Sequence, residues 1–141
     1  MSRPNTPQPD TNQAERIKVL LVDDIPETRE NLRKLLLFEK DFEVVGAAST
    51  GREGLELAKE LHPDVVLMDV NMPDVNGIEA TEQINREVPT TAVVMVSVQS
   101  EADYLRKAML AGARDFLTKP ISGDELYATI RRVYTLKEDT R

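Results

Sequence analysis

Five short apolar runs, each followed by a stretch of helical periodicity, set the strongest limit on how this 141-residue chain can fold. The runs are Ile17–Val22, Phe42–Ala48 and residues 65–68, 91–96 and 114–118. Between and after them apolar residues recur at helical spacing: Leu32, Leu35 and Leu36 behind Pro26; Leu55, Ala58 and Leu61 within Gly51–Leu61; Ala80, Thr81 and Ile84 behind Gly77; Tyr104, Ala108 and Ala111 before Gly112; and Leu126, Ile130 and Val133 within residues 123–136. Strict strand–helix alternation demands right-handed crossovers and a parallel sheet covered on both faces. The residue 65–68 run (VVLM), bounded by Pro63 and Pro73, is continuously apolar, as a strand buried on both faces must be. The Phe42–Ala48 run is weaker and carries Gly46, which suits a sheet edge.

The runs end on chemistry-bearing residues. Asp23 and Asp24 follow the first, Asp69 the third, Ser97 the fourth and Lys119 the fifth. In an open α/β sheet, ligands bind at the carboxyl ends of the strands, at a switch point in strand order. Two topologies fit this length, a flavodoxin-like order 2-1-3-4-5 and a Rossmann-like half. In the flavodoxin-like order, which is the fold expected here, strands one, three, four and five are neighbours, and these side chains converge on one crevice.

Three carboxylates brought together repel, by about 4 kcal/mol for each pair about 4 Å apart at an effective dielectric of about 20. Either their pKa values rise or a hard cation neutralises them, and an oxygen-only, water-rich site suits Mg²⁺ or Mn²⁺. A cation, an ammonium from Lys119 and a hydroxyl from Ser97 around a nucleophilic carboxylate are the equipment for phosphoryl transfer to Asp69. Taken singly, each residue has a plainer reading: Asp23 and Asp24 as caps of the first helix, Ser97 as a loop serine, Lys119 as a solvated surface lysine, Phe116 as core packing. His62, at a helix end on the far side from Asp69, reads as a helix C-terminal residue rather than a phosphodonor.

Composition removes several classes. There is no cysteine, hence no disulfide, thiolate metal site or cysteine nucleophile. A net charge of -7 argues against a grip on nucleic acid, and no run is long enough for a membrane span. No signal-peptide pattern opens the chain, so a cytoplasmic location is expected. Residues 1–16 (MSRPNTPQPDTNQAER), polar and proline-rich, read as a disordered tail, 17–135 as the folded domain and 136–141 as a tail or linker. No GxGxxG or GxxxxGK[ST] occurs. A flavin carrier would need a phosphate cradle where Asp23 and Asp24 stand, and a Mg²⁺-dependent phosphatase would usually place a second acidic residue where Asn71 stands. The capping-box pattern Ser100-Glu101-Ala102-Asp103 marks the start of the fourth helix.

Asp23-Asp24, the run Val-Val-Leu-Met-Asp-Val-Asn-Met-Pro-Asp-Val-Asn-Gly from Val65 to Gly77, Ser97 and Lys119-Pro120 together resemble the receiver domain of two-component response regulators. The resemblance spans residues 17–134. It implies that Asp69 accepts phosphate from the phosphohistidine of a sensor histidine kinase or phosphotransfer protein, with no enzymatic activity beyond self-directed phosphotransfer and autodephosphorylation. It implies Mg²⁺ held directly by Asp24, Asp69 and the backbone carbonyl of Asn71, with Asp23 acting mainly through water. It implies Phe116 as a switch aromatic coupled to Ser97, a cis Lys119–Pro120 bond, and Asn71 and Gln99 as residues that tune dephosphorylation. Val98, larger than the residue often found there, narrows access to the phosphoryl group. An output domain beyond the C-terminus is implied, or a homodimer through the fourth helix, fifth strand and fifth helix, with Arg106, Lys107, Asp115, Arg131 and Arg132 as candidate pairs. Residues 97–106 further resemble receivers fused to a pilus-assembly type ATPase.

Overall fold

The apolar runs lie side by side as one parallel sheet in the order β2-β1-β3-β4-β5, where β1 is Ile17–Val22, β2 Phe42–Ala48, β3 Val65–Asp69, β4 Ala92–Val98 and β5 Asp115–Lys119. The flavodoxin-like alternative of the two is the one adopted. A computed structural model describes residues 16–70, 72, 76–98 and 102–139 of the chain. Five helices connect and follow the strands: α1 (Pro26–Leu37), α2 (Gly51–Leu61), α3 (Gly77–Glu87), α4 (Ala102–Leu110) and α5 (Gly123–Asp139).

Alternation along the strands divides the core in two. Val19, Leu21, Val65, Leu67, Val94, Val96 and Leu117 face α1 and α5, where they meet Leu32, Leu36, Leu126, Ile130 and Val133. Leu20, Val22, Val66, Met68, Val93 and Met95 face the other way, onto Leu55 and Ala58 of α2, Ala80 and Ile84 of α3 and Ala108 of α4. Because every side chain of β3 is buried, its continuous apolar run follows directly from having helices on both faces.

The helix ends use the expected devices. Thr50 and Asn76 cap α2 and α3 by accepting the backbone N–H of Glu53 and Glu79. His62 closes α2 in the left-handed region (φ 49) and donates its N–H to the Ala58 carbonyl, at the amino end of β3 and so away from Asp69. Gly112, at φ +112, follows α4. In β2 the register slips between Val44 and Gly46, which pair with Val19 and Leu20, so Val45 is the extra residue of a bulge on an edge strand. Of the capping box proposed for α4, Ser100 and Glu101 lie outside the described residues.

Four element ends differ from expectation. β3, β4 and β5 each run far enough to include Asp69, Ser97 and Lys119, which pair as Asp69↔Val96, Ser97↔Thr118 and Val98↔Lys119. Polar side chains do not stop a strand while its backbone still has ladder partners. At the other end of the chain α5 continues to Asp139, past the break expected after Leu136, since Thr135-Leu136-Lys137-Glu138 contains no helix breaker. Among the described residues no helix is long and apolar enough to cross a membrane.

Candidate functional site

The carboxyl ends of β1, β3 and β5 bring three carboxylates and one ammonium together. Asp69 stands two residues after Leu67 and Lys119 two after Leu117, so both share the parity of the α1/α5 face. Lys119 Nζ lies 3.6 Å from Asp69 Oδ1 and 3.6 Å from Asp23 Oδ2. Asp23, Asp24 and Asp69 each offer an oxygen within 4.8 Å of the others'. Asp23 and Asp69 are buried while Asp24 is exposed.

The β1–α1 turn accounts for nearly every polar atom of Asp23. Its N–H donates to the Ala48 carbonyl at 3.0 Å, and its Oδ1 accepts the Ile25 N–H at 2.9 Å. Its carbonyl accepts Arg29 Nη1 at 2.6 Å. That leaves Oδ2 to face Lys119. Nothing in the sequence singles out Arg29; an arginine on the first turns of an amphipathic helix looks like surface charge until the turn folds back beneath it.

On the β3 side, Gly77 makes the closest approach in the site. Its N–H donates to the Val70 carbonyl at 2.9 Å, and a Cβ added there would fall 2.1 Å from the carbonyl oxygen of Asp69. A side chain is therefore excluded behind the Asp69 peptide.

Burial is the main reason the Asp69 carboxyl is pushed up from 3.8 to about 6. The neighbouring Asp23 charge adds to the rise, Lys119 opposes it, and Asp24 adds a smaller upward push. Such a set suits a hard divalent cation. It offers oxygen ligands, excess negative charge and a wet open side at Asp24.

Ser97 is 1% exposed, and among the described residues its Oγ has no hydrogen-bond partner, where buried hydroxyls are normally paired. Ser97 shares the parity of Met95 and pairs with Thr118, which places it on the α3/α4 face together with Phe116, the register partner of Met95. Phe116 is 43% exposed, so core packing does not explain it. Ser97→Ala is expected to leave the stability of the unmodified protein unchanged or raise it by up to about 1 kcal/mol, because it removes an unsatisfied buried hydroxyl. Urea denaturation measures this; a loss of 2 kcal/mol or more would show that the hydroxyl is paired.

Other site expectations divide. The Lys119–Pro120 bond is cis. Asn71 and Gln99 lie outside the described residues, so their proposed roles are not placed. Val98 is 43% exposed beside Lys119 in the ladder, on the α1/α5 side rather than on the face of Ser97. Of the charged residues assigned to a dimer face, Arg132 pairs with Asp115 of its own chain at 2.6 Å. Arg131 turns the other way: it binds Glu39 and Asp41 at 2.9 Å each and lies over the Phe42 ring. Helical periodicity separates these adjacent arginines by about 100°, so they serve different surfaces.

A doubly wound α/β domain with an acidic crevice at its β1/β3 switch point and a lysine at the end of β5 defines a class of protein by fold and site together. Residues 19–131 match the family model described as the response regulator receiver domain. The chain belongs to that family, the phosphoacceptor modules of two-component phosphorelay signalling. It is 42% identical to the response regulator GacA of Pseudomonas aeruginosa over 118 residues, 84% of this chain and 55% of that protein. It is 35% identical over 116 residues to the chemotaxis protein CheY of Thermotoga maritima, covering 82% of this chain and 96% of that one. Among solved structures, the response regulator domain of Thermotoga maritima CheB superposes with a TM-score of 0.79 at 40% identity, covering 85% of this chain and 97% of that chain. The chain spans about half the length of the first curated relatives it matches.

Proposed function

We propose that Asp69 is the phosphoacceptor and that the phosphoryl group comes from the phosphohistidine of a sensor histidine kinase or phosphotransfer protein. The observation that carries this reading is the Lys119 ammonium set between the buried Asp69 and Asp23 carboxylates, 3.6 Å from each. Asp24, Asp69 and the backbone carbonyl of Asn71 would hold Mg²⁺ or Mn²⁺ directly, and Asp23 would act mainly through water. When bound, the cation supplies charge neutralisation to the phosphoryl oxygens. Asp69 attacks phosphorus in line; the bond to the histidine nitrogen breaks as the acyl phosphate bond forms. Lys119 neutralises charge on an equatorial oxygen, and Ser97 donates its unpartnered hydroxyl to another.

Movement of Ser97 toward the phosphoryl group opens space on the α3/α4 face, where Phe116 follows it inward. The face formed by α4, β5 and α5 then changes shape as a two-state population shift. That face addresses an output domain or a second copy of the chain, with Arg106, Lys107, Asp115 and Arg132 as the charged groups available to either. Asn71 and Gln99 set the lifetime of the acyl phosphate. The module works in the cytoplasm and catalyses only its own phosphorylation and dephosphorylation.

Incubation with acetyl phosphate and Mg²⁺, followed by intact mass, is expected to show one added phosphoryl group on the parent and none on Asp69→Asn. A parent that gains no mass, or a gain that survives the substitution, contradicts the assignment.

A further inference from the structure

We propose that Arg29 is a positioning residue for the acidic site: by taking the Asp23 carbonyl it holds the β1–α1 turn so that Asp23 and Asp24 present their oxygens to a divalent cation. The inference rests on the metal-assisted reading of Asp69. Two observations carry it.

First, α1 is entered without the device used by its neighbours. Thr50 and Asn76 anchor α2 and α3 with side-chain caps, whereas Ile25, the N-cap of α1, makes no side-chain capping bond. The turn that carries the two aspartates is held instead by Asp23 itself, whose Oδ1 accepts the Ile25 N–H and whose N–H donates to the Ala48 carbonyl. Second, Arg29 adds a side-chain contact to that turn. Its half-buried guanidinium donates to the Asp23 carbonyl at 2.6 Å, a short charge-assisted bond that depends on the arginine side chain, whereas the bond from its N–H to the Ile25 carbonyl at 3.1 Å is the ordinary first bond of the helix.

A second role is available to the same group, and it has the opposite sign. A guanidinium beside carboxylates repels an incoming cation, so if its charge were all that mattered, removing it would tighten metal binding. If it positions the turn, removing it weakens metal binding, as loss of an outer-sphere partner does.

The test is a Mg²⁺ titration of the full chain followed by the amide resonances of Asp24, Ile25 and Val70, under conditions where circular dichroism shows each variant to be folded. Arg29→Met is expected to weaken Mg²⁺ binding by roughly tenfold or more. Arg29→Gln, a milder variant whose side chain is too short to reach the carbonyl, is expected to act in the same direction and carries the test if the methionine variant does not fold. Arg33→Met serves as the control. Arg33 lies one turn further along α1 and pairs with Glu30 at 3.7 Å, and its variant is expected to bind Mg²⁺ like the parent. Unchanged or tighter binding in the Arg29 variants, or an equal loss in Arg33→Met, overturns the inference. A parent that shows no Mg²⁺-dependent shifts at all overturns the metal-assisted reading itself, and the positioning role falls with it.

Discussion

Gly77→Ala is expected to cost more than about 3 kcal/mol of stability and to abolish labelling of Asp69 by acetyl phosphate. The added methyl would sit 2.1 Å from the Asp69 carbonyl oxygen and 3.0 Å from both the Asp69 carbonyl carbon and the Val70 Cα. All three atoms are backbone, so no rotamer change relieves the clash. Either α3 withdraws from β3, breaking the Gly77 N–H bond to Val70, or the Asp69 peptide tilts and its carboxylate leaves Lys119. The first route also strains the Thr81 hydroxyl, which donates to the Gly77 carbonyl at 2.7 Å. Urea denaturation and intact mass report the two halves of this prediction. A variant with parent stability and normal labelling would mean that α3 does not press on the site.

Asp69→Asn is expected to stabilise the cation-free protein at pH 7 by about 1 to 3 kcal/mol, with the advantage disappearing near pH 4. The Asp69 carboxyl is pushed up to about 6 in the folded state from 3.8, first by burial and then by Asp23. Between those values the folded protein binds more protons than the unfolded chain, so stability falls as pH rises from about 4 to about 6 and levels off above. At about 1.4 kcal/mol per pKa unit, the ionised carboxylate costs up to about 3 kcal/mol at neutral pH. An amide of the same shape has no charge to desolvate, though it gives up the attraction of Lys119. Urea midpoints with a chelator present, measured at pH 4, 5, 6 and 7 for parent and variant, test the sign. A variant less stable than the parent at pH 7 would show that the lysine outweighs burial and the neighbouring aspartates.

The sheet was legible in the sequence because its evidence is local. A fully buried parallel strand has to be apolar along its whole length, as residues 65–68 are, and a helix lying on it has to repeat its apolar residues every three or four positions. Strand order then brought Asp23, Asp24, Asp69 and Lys119 to one edge without any knowledge of contacts. What sequence reasoning missed depends on contacts between distant parts of the chain. The length of β3, β4 and β5 past their apolar runs depends on neighbouring ladders. Arg29 matters only because its side chain folds back on a turn, and Gly77 matters through an oxygen eight residues earlier. Arg131 and Arg132 are adjacent and identical in type; helical periodicity turns them apart, but which acidic partner each one meets, Glu39 and Asp41 for the first and Asp115 for the second, depends on how α5 packs.

Alternation within the strands has one further outcome. Asp69 and Lys119 fall on the side of the sheet covered by α1 and α5, while Ser97 and Phe116 fall on the side covered by α3 and α4. The two apolar cores have no residue in common. An apolar substitution in one layer is therefore felt first by the helices of that layer, and it reaches the other layer only through the backbone of the sheet between them.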